Sequence, residues 1–356
     1  MTSTALPDPL GGRTSAAPSD PTLVAGPVAD DVVDAGVTLD VLEEVAEEVV
    51  EDIVGDAGAH LPGEVAAEVP AGIARRSTPG LSPSRANDFL RCPLLFRLRV
   101  IDRLPEPPSA AAARGTLVHA VLERLFDLPA GDRTRDAAVE MLPGAWQTLH
   151  TEQPAYLDLF DATEQWDAWF ASARDLLDTY FRLEDPNRLQ PSEREVFVRT
   201  QLEGGPQLRG IIDRVDVAPN GAVRVVDYKT GRSPRAGYES SALFQMRFYA
   251  YVLWRERGVL PTLLQLEYLG DGQIVRHEPS EPEMVTFESR VRSIWAGIED
   301  SARSGDWRPR PSKLCDWCSF KAVCPAFGGV PPTVPDGAVE AAIGIAPTLG
   351  AAPVTA

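Results

Sequence analysis

The sequence predicts an α/β (α+β) fold with an antiparallel hairpin at its centre, and three observations carry that expectation. Helical periodicity dominates residues 82–183. Three β-rich runs follow at 194–202, 207–217 and 222–229. A helix at about 241–256, a strand at 262–269 and a helix at 281–303 then complete the pattern. The first helix opens at Ser82-Pro83, a hydroxyl N-cap followed by proline in the first turn, and Pro93 limits it just after Cys92. The second covers about 114–127, with Val118, Val121, Leu122 and Leu125 as its apolar stripe and His119 beside them. Trp166, Trp169, Phe170, Leu177 and Phe181 carry helical patterning on to about 183.

The net charge of −18 is unevenly spread. Residues 1–74 hold 15 acidic residues and one basic, whereas 75–327 hold 35 and 33, so the middle of the chain is nearly neutral and its local basic patches remain able to meet phosphates. Three regions follow: 1–75 as a disordered acidic extension, 76–327 as the folded domain, and 328–356 as a disordered Pro/Ala/Gly tail. Within the extension, Leu42, Val45, Val49 and Ile53 recur at helical spacing and predict one amphipathic helix over about 39–54. No apolar run reaches about 18 residues, so no membrane span is expected. The N-terminus lacks a secretory pattern, which points to the cytoplasm and to reduced thiols.

The segment GIIDRVDVAPNGAVRVVDYKTG, residues 210–231, carries the chemistry. Proline has no N–H for a ladder bond, so a three-residue loop fits better than a two-residue one, with Pro219 first and Gly221 left-handed. Ala218 then faces Ala222, and Asp213 lies opposite Asp227. Strict alternation puts Ile211, Asp213, Val215, Val217, Val223, Val225, Asp227 and Lys229 on one face, and pairs Asp216 with Arg224 on the other. Two opposed carboxylates with one ammonium leave a negative charge that a hard divalent cation such as Mg²⁺ or Mn²⁺ would neutralise. A buried Asp–Lys–Asp salt-bridge cluster is the alternative. Of the 34 basic residues only Lys229, Lys313 and Lys321 are lysines, which singles out Lys229 for a role arginine does not fill.

With these motifs in order, the chain resembles the RecB-family branch of the PD-(D/E)XK nucleases, including the AddB and CRISPR-associated four-cysteine enzymes. The likeness spans about 81–327: FLRCPLLFRL with Cys92, RGTLVH with His119, GIIDRVD with Asp213, VVDYKTG with Asp227 and Lys229, FQMRFYAY with Gln245 and Tyr249, and the closing CDWCSFKAVC. The resemblance implies a restriction-endonuclease-like central mixed β-sheet flanked by helices, with an additional helical insertion. It implies that His119, Asp213, Asp227 and the Tyr228 carbonyl ligate the catalytic metal, that Lys229 is the catalytic lysine, and that Gln245 and Tyr249 steer DNA or order the site. Read without the family, His119 could simply pair with Glu123.

The cysteine spacing is Cys92, then Cys315-x₂-Cys318-x₅-Cys324, a credible four-thiolate site. Its likeness to the AddB and CRISPR-associated staples favours a [4Fe–4S] cluster over Zn²⁺, pinning the first helix to the last segment. The expected function is a metal-dependent DNA nuclease, an exonuclease acting on single strands or ends in repair or recombination. Arg97, Arg99 and Arg103 are candidates to follow a DNA strand. The alternative is a non-catalytic DNA-end-binding or scaffold subunit. No phosphate-binding P-loop occurs, so a helicase motor would have to come from a partner.

Overall fold

The computed structural model describes residues 80–160, 162–234 and 240–345. The expected helix over 39–54 lies outside them.

Six strands form one mixed sheet: β1 (Gly80–Leu81), β2 (Glu193–Gln201), β3 (Gln207–Val217), β4 (Val223–Lys229), β5 (Leu263–Tyr268) and β6 (Gln273–His277). The path runs β1-β3-β4-β5-β6, and β2 pairs along β3. The β1–β3 and β4–β5 pairs are parallel and the others antiparallel. Parallel strands need a crossover, which α6 (Ser240–Arg257) supplies between β4 and β5.

Helices cover both faces. On one side α1 (Pro83–Arg91), α2 (Pro93–Phe96), α6 and α7 (Glu281–Ser304) pack over Ile212, Val215, Val225, Leu264 and Leu266. On the other, α3 (Ala110–Leu125), α4 (Arg135–Glu152) and α5 (Thr163–Leu183) pack over Val226, Tyr228 and Leu269. These three helices are the expected insertion. The Ser82 hydroxyl caps α1 through Arg85 N–H, with Pro83 in the first turn. Ser280 and Glu283 form a reciprocal capping box at the start of α7.

The hairpin turn has the expected form: Gly221 N–H donates to Ala218 O at 2.8 Å, and Gly221 takes φ 84°. Its register also holds, with Val215 opposite Val225 and Asp216 opposite Arg224. Arg224 and Asp216 form the expected ion pair at 2.7 Å, extended by the buried Arg214 to Glu184 and the Tyr228 hydroxyl.

Four expectations are corrected. First, strict alternation along β3 fails. Ile212 packs under α1 and α6, yet Arg214, two residues on, packs against Phe126 and Tyr228 on the opposite face. The strand therefore kinks at Asp213. Second, β6 was not expected. Its sequence QIVRH is short and partly exposed, and only pairing with β5 makes it a strand. Third, residues 328–345 are not a structureless tail. Helix α8 (Ala338–Ile343) buries Val339, Ala342 and Ile343 in the main core, and the Arg97 side chain donates to Pro332 O. These apolar residues are spaced three and four apart, a single helical face too short to stand out in a Pro/Gly-rich stretch. Arg97 and Arg99 are likewise not open to a ligand strand: Arg97 is buried against Asp102, and Arg99 pairs with Asp88 and Glu106. Arg103 is exposed. Among the described residues no helix is long and apolar enough to cross a membrane.

Candidate active site at the fork of the sheet

The ladder between β3 and β4 ends at Arg214–Val226. Beyond it the strands part, and the Asp213 carboxylate takes the Tyr228 N–H at 2.7 Å in place of a main-chain acceptor. On the far side of β3, the register of Arg194 with Arg214 and Val196 with Ile212 sets Glu195 opposite Asp213. Glu195 has φ 42°, a left-handed backbone that costs a non-glycine residue on the order of 1–3 kcal/mol. The strained residue and the kinked one thus face each other at the site.

Helix α3 brings His119 to the same point because its apolar stripe, Leu117, Val118, Val121 and Leu122, is buried against the sheet. His119 Nδ1 lies 3.7 Å from Asp213 and 4.0 Å from Glu195. Its Nε2 lies 2.9 Å from Tyr228 O. An Nε2–H donor to that carbonyl leaves the Nδ1 lone pair aimed at two carboxylates, an arrangement that needs a proton or a cation between them. One nitrogen and two carboxylate oxygens from His119, Glu195 and Asp213 all stand within 4.8 Å of one another. This donor set suits a divalent cation of the Mg²⁺ or Mn²⁺ type.

Asp227 and Lys229 occupy the α6 side of the fork. Lys229 Nζ lies 3.0 Å from Asp227 Oδ2 and donates to Gln245 Oε1 at 2.8 Å. Gln245 Nε2 donates to Asp227 Oδ1 at 3.0 Å and to the Tyr249 hydroxyl at 2.9 Å. Gln245 and Tyr249 share a helical face, one turn apart. Tyr249 reaches the site over Gly210, where an added Cβ would stand 2.7 Å from its ring. The α-carbon hydrogen of glycine is what lets the ring lie there.

The electrostatics show a site short of positive charge. Burial, then the Asp213 carboxylate, pushes the Glu195 carboxyl up to about 8. Burial pushes Asp227 up to about 6, with Lys229 opposing and Asp213 reinforcing the rise. Burial works against a proton on His119, but Asp213 and Glu195 outweigh it and hold its pKa above the usual imidazole range. Asp227 Oδ2 is buried, and the Lys229 ammonium 3.0 Å away is the charge that faces it.

The structure therefore brings His119, Asp213, Asp227, Lys229, Gln245 and Tyr249 into one constellation, with the Tyr228 carbonyl at its edge on His119. Sequence reasoning missed Glu195. The signal was present: extending the hairpin register back through the 202–206 loop lands Glu195 on Asp213. His119 makes no pair with Glu123 among the contacts found for the described residues.

At a separate place in the fold, Cys92, Cys315, Cys318 and Cys324 line one cavity with Arg91, Leu94 and Phe320. None is in a disulfide. Main-chain N–H groups of Arg310 and Ser312 donate to Cys92 and Cys315 sulfur at 3.4 and 3.3 Å. Four reduced sulfurs converging on one apolar-walled cavity, two of them already hydrogen-bonded, suit a thiolate-held group.

The chain is similar to the Gene 69 protein of Mycobacterium phage L5, at 23% identity over 290 residues, covering 69% of this chain and 96% of that one. It is similar to the Gene 69 protein of Mycobacterium phage D29 at 26% over 275 residues, with 69% and 96% covered. A solved structure of a candidate exonuclease from Eubacterium rectale superposes with TM-score 0.45 at 13% identity, covering 70% of this chain and 92% of that one. The family match itself is to the PD-(D/E)XK nuclease superfamily over residues 80–325, a span that takes in every site residue above. The chain belongs to the PD-(D/E)XK nuclease superfamily, whose members hydrolyse phosphodiester bonds with divalent metal ions.

Proposed function

We propose that this protein is a DNA exonuclease of the RecB-like branch, acting on ends or single strands in repair or recombination. The observation that carries the reading is the junction of His119, Glu195 and Asp213 with the Asp227–Lys229–Gln245 triad at one fork of the sheet. His119, Glu195 and Asp213, with Asp227 nearby, would hold a divalent cation, which would supply Lewis acidity to the phosphodiester and acidity to a water; the Tyr228 carbonyl, bonded to His119 Nε2, would orient the imidazole instead of ligating the ion. Lys229 stands where its ammonium orients that water and offsets charge developing on the phosphate. Asp227 and Gln245 fix the ammonium from two sides, so its position is set before substrate arrives. Tyr249 holds Gln245 in turn.

The four cysteines fit a [4Fe–4S] cluster with a structural role, since they join the end of α1 to residues 315–324 across more than 200 intervening positions. Zn²⁺ is the competing occupant.

The test is cleavage of end-labelled single-stranded, duplex and flap DNA and of circular single strands, in Mg²⁺ or Mn²⁺, by wild type, Asp227→Ala and Lys229→Ala. An exonuclease degrades the linear substrates and spares the circles, and each variant loses at least about 100-fold in rate. Cleaved circles would make it an endonuclease. A wild type as inert as both variants would return the protein to the scaffold reading.

A further inference from the structure

Two guanidiniums share the cavity of the four cysteines. Arg91, the last residue of α1, and Arg310 both line it, together with Cys92, Cys315, Cys318 and Cys324. Both arginines are half-buried, and neither pairs with a carboxylate among the described residues. Asp88, one turn back from Arg91, is engaged by Arg99 at 2.6 Å. The Arg310 guanidinium donates to Leu90 O, a carbonyl that carries no net charge. A third cation on the cavity wall, Lys321, is already neutralised, with its Nζ 2.7 Å from Asp316. Much of the remaining wall is apolar, including Leu94, Leu95, Leu98 and Phe320. Two unpaired cations against such a wall cost stability unless an anion stands beside them. The thiols of Cys315 and Cys318 are close enough for charge on them to act on Arg91.

We propose that Arg91 and Arg310 are the charge partners of a metal core held by the four thiolates, and that they govern how firmly the core is kept. The inference rests on the thiolate-site reading and adds to it two residues that ligate nothing. Four thiolates around a core of two positive charges, Zn²⁺ or an oxidised [4Fe–4S] unit alike, leave two negative charges over. The two guanidiniums supply the matching positive charges. Main-chain N–H groups of Arg310 and Ser312 already point at the Cys92 and Cys315 sulfurs, at 3.4 and 3.3 Å, but they bring hydrogen bonds and no net charge. Arg310 thus serves the site twice, through its backbone to Cys92 and through its side chain as a cation held on the end of α1. Arginine suits the task because it stays charged even where burial works against the charge.

The test uses the full chain purified without oxygen, with iron and zinc counted per chain, and follows transfer of the metal to a chromogenic chelator. Wild type is compared with Arg91→Gln/Arg310→Gln and with Arg91→Lys/Arg310→Lys; Arg308→Gln, at an exposed partner of Asp306 outside the cavity, is the control. Glutamine removes the charge and keeps a polar side chain, so the metal should be lost about tenfold faster or more. Lysine keeps the charge, so it should restore most of the wild-type rate, and the control should match wild type. Where the metal is iron, the glutamine pair should also lower the midpoint potential, because a nearby cation favours the reduced, more negative core, and the lysine pair should not. If the double glutamine variant does not fold, the two single variants carry the same comparison. Release from the glutamine variants at the wild-type rate overturns the proposal. So does a lysine pair that loses metal as fast as the glutamine pair, since that assigns the arginines to packing. A wild type holding neither iron nor zinc overturns the thiolate-site reading, and the charge partners with it.

Discussion

Replacing Gln245 by Leu removes one side chain that holds three others and changes little in volume. In the wild type its Oε1 accepts from Lys229 and its Nε2 donates to Asp227 and Tyr249, at 2.8, 3.0 and 2.9 Å. Leucine makes none of these bonds. The Asp227 carboxylate and the Tyr249 hydroxyl are both buried, so water does not readily replace the lost amide at either. An unsatisfied buried polar group costs about 1–3 kcal/mol, and Lys229 keeps its pairing with Asp227, so the expected loss is about 2–4 kcal/mol. For a domain of this size that is roughly 2–4 °C of melting temperature per kcal/mol. The catalytic effect has a separate origin. The Lys229 ammonium loses the Gln245 anchor, and a misplacement of about 1 Å costs on the order of 100-fold in rate. Tyr249→Phe deletes only the outermost bond, so it should cost about 1 kcal/mol and less than tenfold in rate. The assays are urea unfolding and Mn²⁺-dependent cleavage well below the unfolding midpoint. Gln245→Leu with full activity in the folded state would show that Lys229 needs no positioning by α6. Gln245→Leu no more damaging than Tyr249→Phe would refute the whole chain of bonds.

Glu195→Gln keeps the shape of the side chain and removes one anionic donor from the cation cluster; Mn²⁺ affinity by titration calorimetry should fall tenfold or more, and an unchanged affinity would remove Glu195 from the ligand set. Protein purified without oxygen should be brown with bound iron and acid-labile sulfide, and Cys315→Ser should lose the colour; a colourless zinc-loaded wild type would instead assign Zn²⁺ to the four thiols. Ile343→Ala opens a gap in a residue that is 1% exposed, so it should cost about 2–4 kcal/mol by chemical denaturation, and no loss would mean that α8 does not dock on the core in solution.

Much of the site could be read before any coordinates. Proline at 219 forbids a ladder bond, glycine at 221 permits a left-handed turn, and these two facts alone fix the register that brings Asp213 toward Asp227. Apolar spacing placed α3, and hence His119, within a few residues, and helical phase put Gln245 and Tyr249 on one face. These are local constraints: backbone sterics, missing donors and periodicity act within a turn or a strand, so the chain states them outright. Glu195 could be reached only through the second hairpin, whose 202–206 turn sets it opposite Asp213, and its left-handed φ appears only where β2 meets the kink at Asp213. The direction of the Asp213 carboxylate, toward the Tyr228 N–H instead of straight across the hairpin, likewise depends on the strands parting beyond Arg214. Burial of α8 required a core already assembled from distant segments. Local chain chemistry sets which groups carry charge and which turn aligns them. Tertiary packing decided which of those charges face one another, because that depends on the summed burial of helices no single stretch of chain encodes.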